Sequence, residues 1–183
     1  LIPNRLDETT SPLKLIPDSE VVNSPSSVGF DVADFVQQAG GYLANYQESV
    51  YSFGMMSGAD IIEKVAREFS IHPRLLLALL EYQSDWVYGG PHTEQEKTYP
   101  LGILNQDSIG LYKQLEAAAG IIETGYYGWR EGTMVVLEFP DASEVRLSAQ
   151  LNCGTVGLMH FFSKQYNFPE WADALYGEKG LAW

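Results

Sequence analysis

The chain has 183 residues, 45% of them hydrophobic and 13% aromatic, which is long and apolar enough for a folded domain with a sizeable core. Eleven basic residues against 24 acidic ones give a net charge of −13, which argues against nucleic acid or an anionic membrane as a partner. No apolar run approaches the roughly 20 residues that cross a bilayer, and the single Cys153 excludes an internal disulfide.

The first part of the chain is predicted to be an extended arm. Residues 1–28 are rich in Pro, Ser, Asn and Thr and have little periodicity, whereas residues 29–183 are predicted to form one domain. The chain begins without a positively charged, apolar leader, which is typical of a mature or trimmed product. We therefore expect that an export signal has been removed and that further domains of a longer chain can exist.

Helical patterns dominate the first half of the predicted domain. Asp31–Gln38 is predicted to be a helix with Asp31 as its N-cap, and the pattern is expected to resume over Tyr42–Val50 after two glycines. Ser57 has the character of an N-cap, and an apolar stripe at helical spacing follows it. A further helix is predicted from Pro73, because proline is well tolerated in a first helical turn.

The second half is predicted to contain one long loop, a hairpin and three more helices. The loop, Val87–Gln106, is long for a compact domain, which is typical of a functional segment. Tyr126–Arg130, rich in aromatic residues, is expected to be a turn after a helix. The predicted helices are Ser108–Thr124, Ala149–Gln165 and Pro169–Tyr176, and the predicted hairpin joins Thr133–Phe139 to Glu144–Leu147.

The helix that starts at Pro73 is the most informative segment. Leu75–Leu80 is apolar on every side of the helix, so we expect it to be the most buried segment of the chain. Polar and aromatic residues, Glu81 to Trp86, follow it directly. A buried helix that ends in an acid, amides and rings can place chemistry at the edge of a core.

This segment resembles the first motif of the lytic transglycosylases, which belong to the lysozyme-like superfamily. The motif has a proline, an apolar helix, Glu-Ser, a spacer and an aromatic residue; Ser84 and Trp86 match the last two, while Gln83 takes the place of the catalytic glutamate. Gly102–Asn105 is similar to the family's Gly-Leu-Met-Gln segment, and Leu151–Gly154 is similar to its Tyr-Asn-Ala-Gly motif.

The resemblance implies a mainly α, lysozyme-like helical domain with a small β-hairpin insertion. It also implies an exported bacterial protein of the cell envelope that binds or cleaves a peptidoglycan-type polysaccharide. No cofactor and no metal are expected, since His92, Glu94 and Glu96 form only a weak metal pattern. The expected substrate-binding residues are Gln83, Ser84, Trp86, Tyr99, Asn105, Tyr127 and Asn152.

The chemistry at the end of the helix has two interpretations. Glu81 is the candidate general acid, since apolar surroundings favour a protonated carboxyl; alternatively it is a helix-end glutamate paired with a nearby cation. Gln83 cannot donate a proton, but its amide can bind a sugar. Three hypotheses are therefore open: an active glycosidase or transglycosylase, an inactive glycan-binding domain, and a helical protein-interaction or scaffold domain that keeps only the fold.

Overall fold

The computed structural model describes residues 13–178 and 180–181, so the first twelve residues of the predicted arm lie outside the described part. The chain divides into two compact units. One contains residues 19–123, and the other contains residues 124–183 together with the segment that ends at Asp18. The described residues form eight α-helices and two small antiparallel hairpins, so the predicted mainly α class with a small β insertion is confirmed.

Seven of these elements lie wholly within the first unit, and a long helix begins there. Its hairpin pairs β1 with β2 in antiparallel register, with Val50 opposite Gly54. The elements are α1 Val32–Ala39, α2 Tyr42–Asn45, β1 Gln47–Val50, β2 Gly54–Ser57, α3 Gly58–Glu68, α4 Pro73–Ser84, α5 Glu94–Thr98 and, continuing into the second unit, α6 Leu111–Arg130.

The prediction that the helix resumes over Tyr42–Val50 is wrong, because only its first four residues are helical. The chain instead reverses through a tight turn with positive φ at Ser52 (66°) and Gly54 (79°), a conformation that a helix does not contain. The returning strand delivers Ser57 to α3, where its side chain accepts a hydrogen bond from the Asp60 backbone N–H in a capping box. The hairpin therefore takes the place of the predicted helical turns.

Part of the predicted arm contacts this unit. Val22 forms a β-bridge with Ile71, and the backbone N–H of His72 donates to the carbonyl of Val21 at 2.8 Å. Val21 is buried. This segment lies against the start of α4, as the apolar residues of the arm allow.

Helix α4 is buried on most of its surface but not on every side. Leu76, Leu79 and Leu80 are almost fully buried, whereas Ala78 is exposed. The prediction that Leu75–Leu80 is the most buried segment is wrong, because Gly154–Ser163 in the second unit has no exposed position at all. A stretch that is apolar or small at nearly every position can be enclosed more completely than α4.

The second unit contains the C-terminal part of α6, a hairpin and two helices. The hairpin and both helices form where they were predicted, with shorter bounds for the hairpin and for the first helix. The elements after α6 are β3 Val136–Glu138, β4 Glu144–Arg146, α7 Cys153–Ser163 and α8 Phe168–Tyr176. The indole N–H of Trp171 donates to the Met159 carbonyl at 2.9 Å and fixes α8 on α7.

The predicted turn at Tyr126–Arg130 is wrong, since these residues are the last turn and a half of α6. At Gly125 this part of α6 passes close to α7. A Cβ on Gly125 would lie 2.7 Å from the Cβ of His160 in α7. In the second unit, α6 and α7 therefore lie close together at Gly125 and His160, and the sequence pattern does not reveal this contact.

Candidate functional site

Helix α4 ends in a left-handed turn that Glu81 closes. Asp85 has φ of 56°, a conformation that aspartate tolerates better than most side chains. The Oε2 atom of Glu81 accepts hydrogen bonds from the backbone N–H groups of Val87 at 3.0 Å and Tyr88 at 3.1 Å. A Cβ on Gly89 would lie 2.0 Å from the Asp85 carboxylate, so any other residue there would displace that side chain. The candidate acid thus has a structural role in this turn.

The two residues that match the serine and the aromatic of the first motif are both buried. The hydroxyl of Ser84 donates to the Leu80 carbonyl at 3.0 Å. The ring of Trp86 is enclosed by Tyr42 and Tyr46, with centroid distances of 4.7 and 4.9 Å. Within the described part of the chain, the Trp86 indole N–H has no hydrogen-bond partner. Neither side chain presents a surface to a ligand in this conformation.

Three other residues near the end of α4 are accessible. Gln83 is half-buried, and Tyr82 is exposed. Tyr88 is 61% exposed and packs the edge of its ring on Phe35, with a centroid distance of 6.3 Å. These groups can meet a ligand, although the buried Ser84 cannot join them.

The predicted loop Val87–Gln106 contains helix α5 and is fixed at its end by a buried amide. The Oε1 atom of Gln114 accepts from the backbone N–H groups of Leu101 (3.1 Å) and Ile103 (3.2 Å). Its Nε2 atom donates to the carbonyls of Ile103 (2.8 Å) and Ser108 (2.6 Å). All four hydrogen-bonding positions of this amide are therefore occupied, and the segment has a defined conformation.

The candidate residues within this loop make local contacts. The Oδ1 atom of Asn105 accepts from the Asp107 backbone N–H at 3.0 Å and caps a short 3₁₀ turn. Tyr99 is half-buried, and its backbone N–H donates to the Gln95 carbonyl at 2.7 Å at the end of α5. Asn105 is exposed, so its remaining donor capacity is open to solvent.

Tyr127 and Asn152 belong to the second unit. Asn152 lies at the N-cap of α7, where its Nδ2 atom donates to the Ile16 carbonyl and to Asp18, both at 2.7 Å. Its Oδ1 atom accepts from the Thr155 hydroxyl at 2.6 Å. Asn152 therefore holds the segment before residue 19 on α7. Tyr127 lies on α6 and is partly exposed.

The weak metal pattern of His92, Glu94 and Glu96 does not form a metal site among the described residues. Among the described residues, no three His, Cys, Asp or Glu side chains are placed to hold a metal ion. Nε2 of His92 lies 3.5 Å from the Asp85 carboxylate, and Glu96 accepts from the His92 backbone N–H at 2.6 Å. None of the described helices combines the length and the apolar character that a membrane crossing requires.

A second structural carboxylate, Glu48, has no recognisable signal in the sequence. Its Oε2 and Oε1 atoms accept from the backbone N–H groups of Leu111 (2.8 Å) and Tyr112 (3.0 Å) at the start of α6. The hydroxyl of Tyr46 donates to the same carboxylate at 2.5 Å. Burial of the hydroxyl, and then the nearby Glu48, raises the pKa of Tyr46. Strand β1 is therefore joined to the N-terminus of α6.

These features define a mainly helical domain in which the best candidate acid, Glu81, accepts backbone hydrogen bonds that close a turn. Residues 14–179 match the family described as the N-terminal domain of LasA, and the chain belongs to this family. LasA is a secreted bacterial protein. No curated protein and no solved structure matches the chain. The resemblance to the lytic transglycosylases stays a prediction.

Proposed function

We propose that this chain is a non-catalytic protein-interaction domain of an exported bacterial protein that acts at the cell wall. Membership of the LasA N-terminal domain family supports the exported, bacterial and cell-wall parts of the proposal. The interaction role rests on Glu81 and Gln83 at the end of α4, because neither side chain is available as a general acid. It corresponds to a helical domain that keeps a fold without the catalytic machinery.

The Glu81 carboxylate carries this proposal. A general acid in glycosidic cleavage must direct a proton to the scissile oxygen of the sugar. Oε2 of Glu81 instead accepts two backbone hydrogen bonds that close the turn after α4. The position that matches the family glutamate is Gln83, whose amide does not ionise. The chain thus lacks a free acid at either position of the motif.

A second candidate function is binding of a peptidoglycan-type glycan by a lysozyme-like domain that has lost its activity. Tyr82 and Tyr88 favour this candidate, since both rings are exposed near the half-buried Gln83. Exposed tyrosine rings can stack on sugar faces and offer a hydroxyl to the sugar. Tyr99 and Asn105 are the further contacts proposed in the same unit, whereas Ser84 and Trp86 would support the site only from within the core.

Sedimentation with purified, insoluble peptidoglycan separates the two functions. The double variant Tyr82→Ser/Tyr88→Ser removes the exposed rings near α4, and Tyr51→Ser/Phe53→Ser removes exposed rings from the β1–β2 hairpin as a matched control. The interaction function predicts that none of the three proteins sediments with the glycan. Sedimentation of the wild type that is lost in the first variant and kept in the control would refute it in favour of glycan binding.

A further inference from the structure

The β1–β2 hairpin presents an apolar surface that the proposed glycan contacts do not use. Tyr51 is 94% exposed, Phe53 is 60% exposed and Met55 is 65% exposed, and Ile109 lies exposed at the same groove. The groove has a volume of about 440 Å³ and is lined by residues 48–53, Ile109, Tyr112 and Lys113. We call it the hairpin groove. Large exposed side chains grouped in this way are typical of an interaction surface.

The hairpin groove is held in a defined shape. The ammonium group of the buried Lys64 lies 3.5 Å from the centroid of the Phe53 ring. This cation–π contact holds the ring in place. The backbone N–H of Phe53 donates to the Val50 carbonyl at 2.9 Å and closes the turn. Glu48 joins the same strand to α6 beside the groove. A partner therefore meets a Phe53 ring that is already ordered, which lowers the entropy cost of binding.

The charge around the hairpin groove favours a cationic partner. Both lysines near it are neutralised, since Lys64 pairs with Glu68 at 2.5 Å and Lys113 pairs with Glu116 at 2.6 Å. The Tyr112 hydroxyl lies 3.4 Å from Glu68 and 3.5 Å from Glu116. Burial, and then these two carboxylates, raises the pKa of Tyr112 to about 12.

With the lysines beside the groove paired, the net charge of −13 on the chain contributes a negative electrostatic field that a partner meets. The field attracts basic protein surfaces and repels acidic ones and anionic lipid. The groove itself requires apolar contact, because Tyr51, Phe53 and Ile109 dominate its exposed surface. A basic segment that carries an apolar or aromatic side chain satisfies both conditions.

We propose that the hairpin groove binds a protein segment in which an apolar or aromatic side chain is flanked by lysine or arginine. This inference rests on the proposed interaction function and names the chemistry of the partner. The apolar side chain packs between Tyr51, Phe53 and Ile109. The flanking cations lie over the exposed Tyr51 ring, whose π face attracts positive charge, and the net negative charge of the chain attracts them further.

The test uses a fluorescein-labelled synthetic peptide in which lysine alternates with leucine and tryptophan, titrated with the whole chain and followed by anisotropy. A glutamate-for-lysine peptide and a serine-for-leucine-and-tryptophan peptide are the controls. We expect only the first peptide to bind, and Tyr51→Ser/Phe53→Ser to weaken binding by about tenfold or more, because few anchor residues carry most of the affinity. Val28→Ser, which changes an exposed apolar side chain outside the groove, should leave binding unchanged.

Nuclear magnetic resonance locates the bound peptide independently of affinity. The largest shifts are expected in residues 49–55 and 109–113. Equal binding by the hairpin variant, or equal binding of the glutamate peptide, would overturn the inference. So would hairpin-dependent binding to phosphatidylcholine vesicles without peptide binding, which would assign the surface to lipid, or hairpin-dependent self-association, which would assign it to a second copy. If the peptide does not bind and the chain does not sediment with glycan, only the proposal for the hairpin groove is refuted. If the chain sediments with glycan, the proposed interaction function is refuted.

Discussion

Replacing the buried Gln114 by leucine should strongly destabilise the domain. The amide makes four hydrogen bonds to the backbone of Leu101, Ile103 and Ser108, with distances of 2.6 to 3.2 Å. Leucine has similar size but satisfies none of them. A buried polar group that loses its partner costs about 1–3 kcal/mol. Since Ile103 is only half-buried and water can reach part of the segment, we expect a total loss of about 3–5 kcal/mol in the free energy of unfolding.

Urea unfolding gives this loss, and hydrogen exchange shows where it arises. The amide protons of Leu101 and Ile103 should exchange much faster in Gln114→Leu, while those of α7 should change only with global stability. Gln95→Leu on α5 is the matched control, because Gln95 is exposed and its substitution should change stability by less than about 0.5 kcal/mol. A loss below about 1 kcal/mol in Gln114→Leu, or unchanged exchange at both amides, would refute the reasoning.

Three further predictions concern the first unit. Leu79→Ala should reduce the free energy of unfolding by about 2–5 kcal/mol, because it opens a cavity in the core, whereas Ala78→Ser on the exposed side of α4 should change it little. Glu48→Gln should cost about 1–3 kcal/mol in the same measurement, because the charged acceptor of two α6 N–H groups is lost; a change within error would show that the carboxylate does not stabilise the helix. Tyr112 should ionise near pH 12 in the folded chain, compared with 10.0 for an unperturbed tyrosine. Because the unfolded state releases this proton first, stability should fall as the pH rises from about 10 to 12, and Tyr112→Phe should reduce that fall in pH-dependent unfolding and absorbance titrations.

Local signals allowed α3 and α4 to be predicted from the sequence. Ser57 and Asp60 form the capping box that the spacing indicates, and Pro73 is in the first turn of α4. Each of these signals depends on residues within one or two helical turns, so no knowledge of the tertiary structure is needed. The predicted hairpin at β3 and β4 depends on a short turn in the same way.

Contacts between distant residues decided the segments that were predicted wrongly. The strand β1 is stabilised by Glu48, whose partner Leu111 lies 63 positions later in the chain. No periodicity over Tyr42–Val50 reports such a contact. The end of α6, over Tyr126–Arg130, also lies beside a distant segment, since Gly125 packs closely against His160.

The candidate site was predicted only as a set of residue types. The sequence predicts that an acid, amides and aromatic residues lie at the end of α4, but it does not predict where their side chains point. Trp86 turns into a cluster with Tyr42 and Tyr46, and Glu81 turns back to the chain that follows the helix. The chain leaves α4 through a left-handed conformation at Asp85, and aspartate at that position carries no unique sequence signal.

The most direct test of the central claim is the release of soluble muropeptides from purified peptidoglycan by the wild-type chain. Glu81→Gln, which keeps an acceptor oxygen for Val87 and Tyr88, is assayed beside it with its unfolding free energy. We predict no release above the buffer control from either protein, and a folded Glu81→Gln variant. Clear release by the wild type that disappears in the folded Glu81→Gln variant would contradict the structural role of Glu81 and identify the domain as an enzyme.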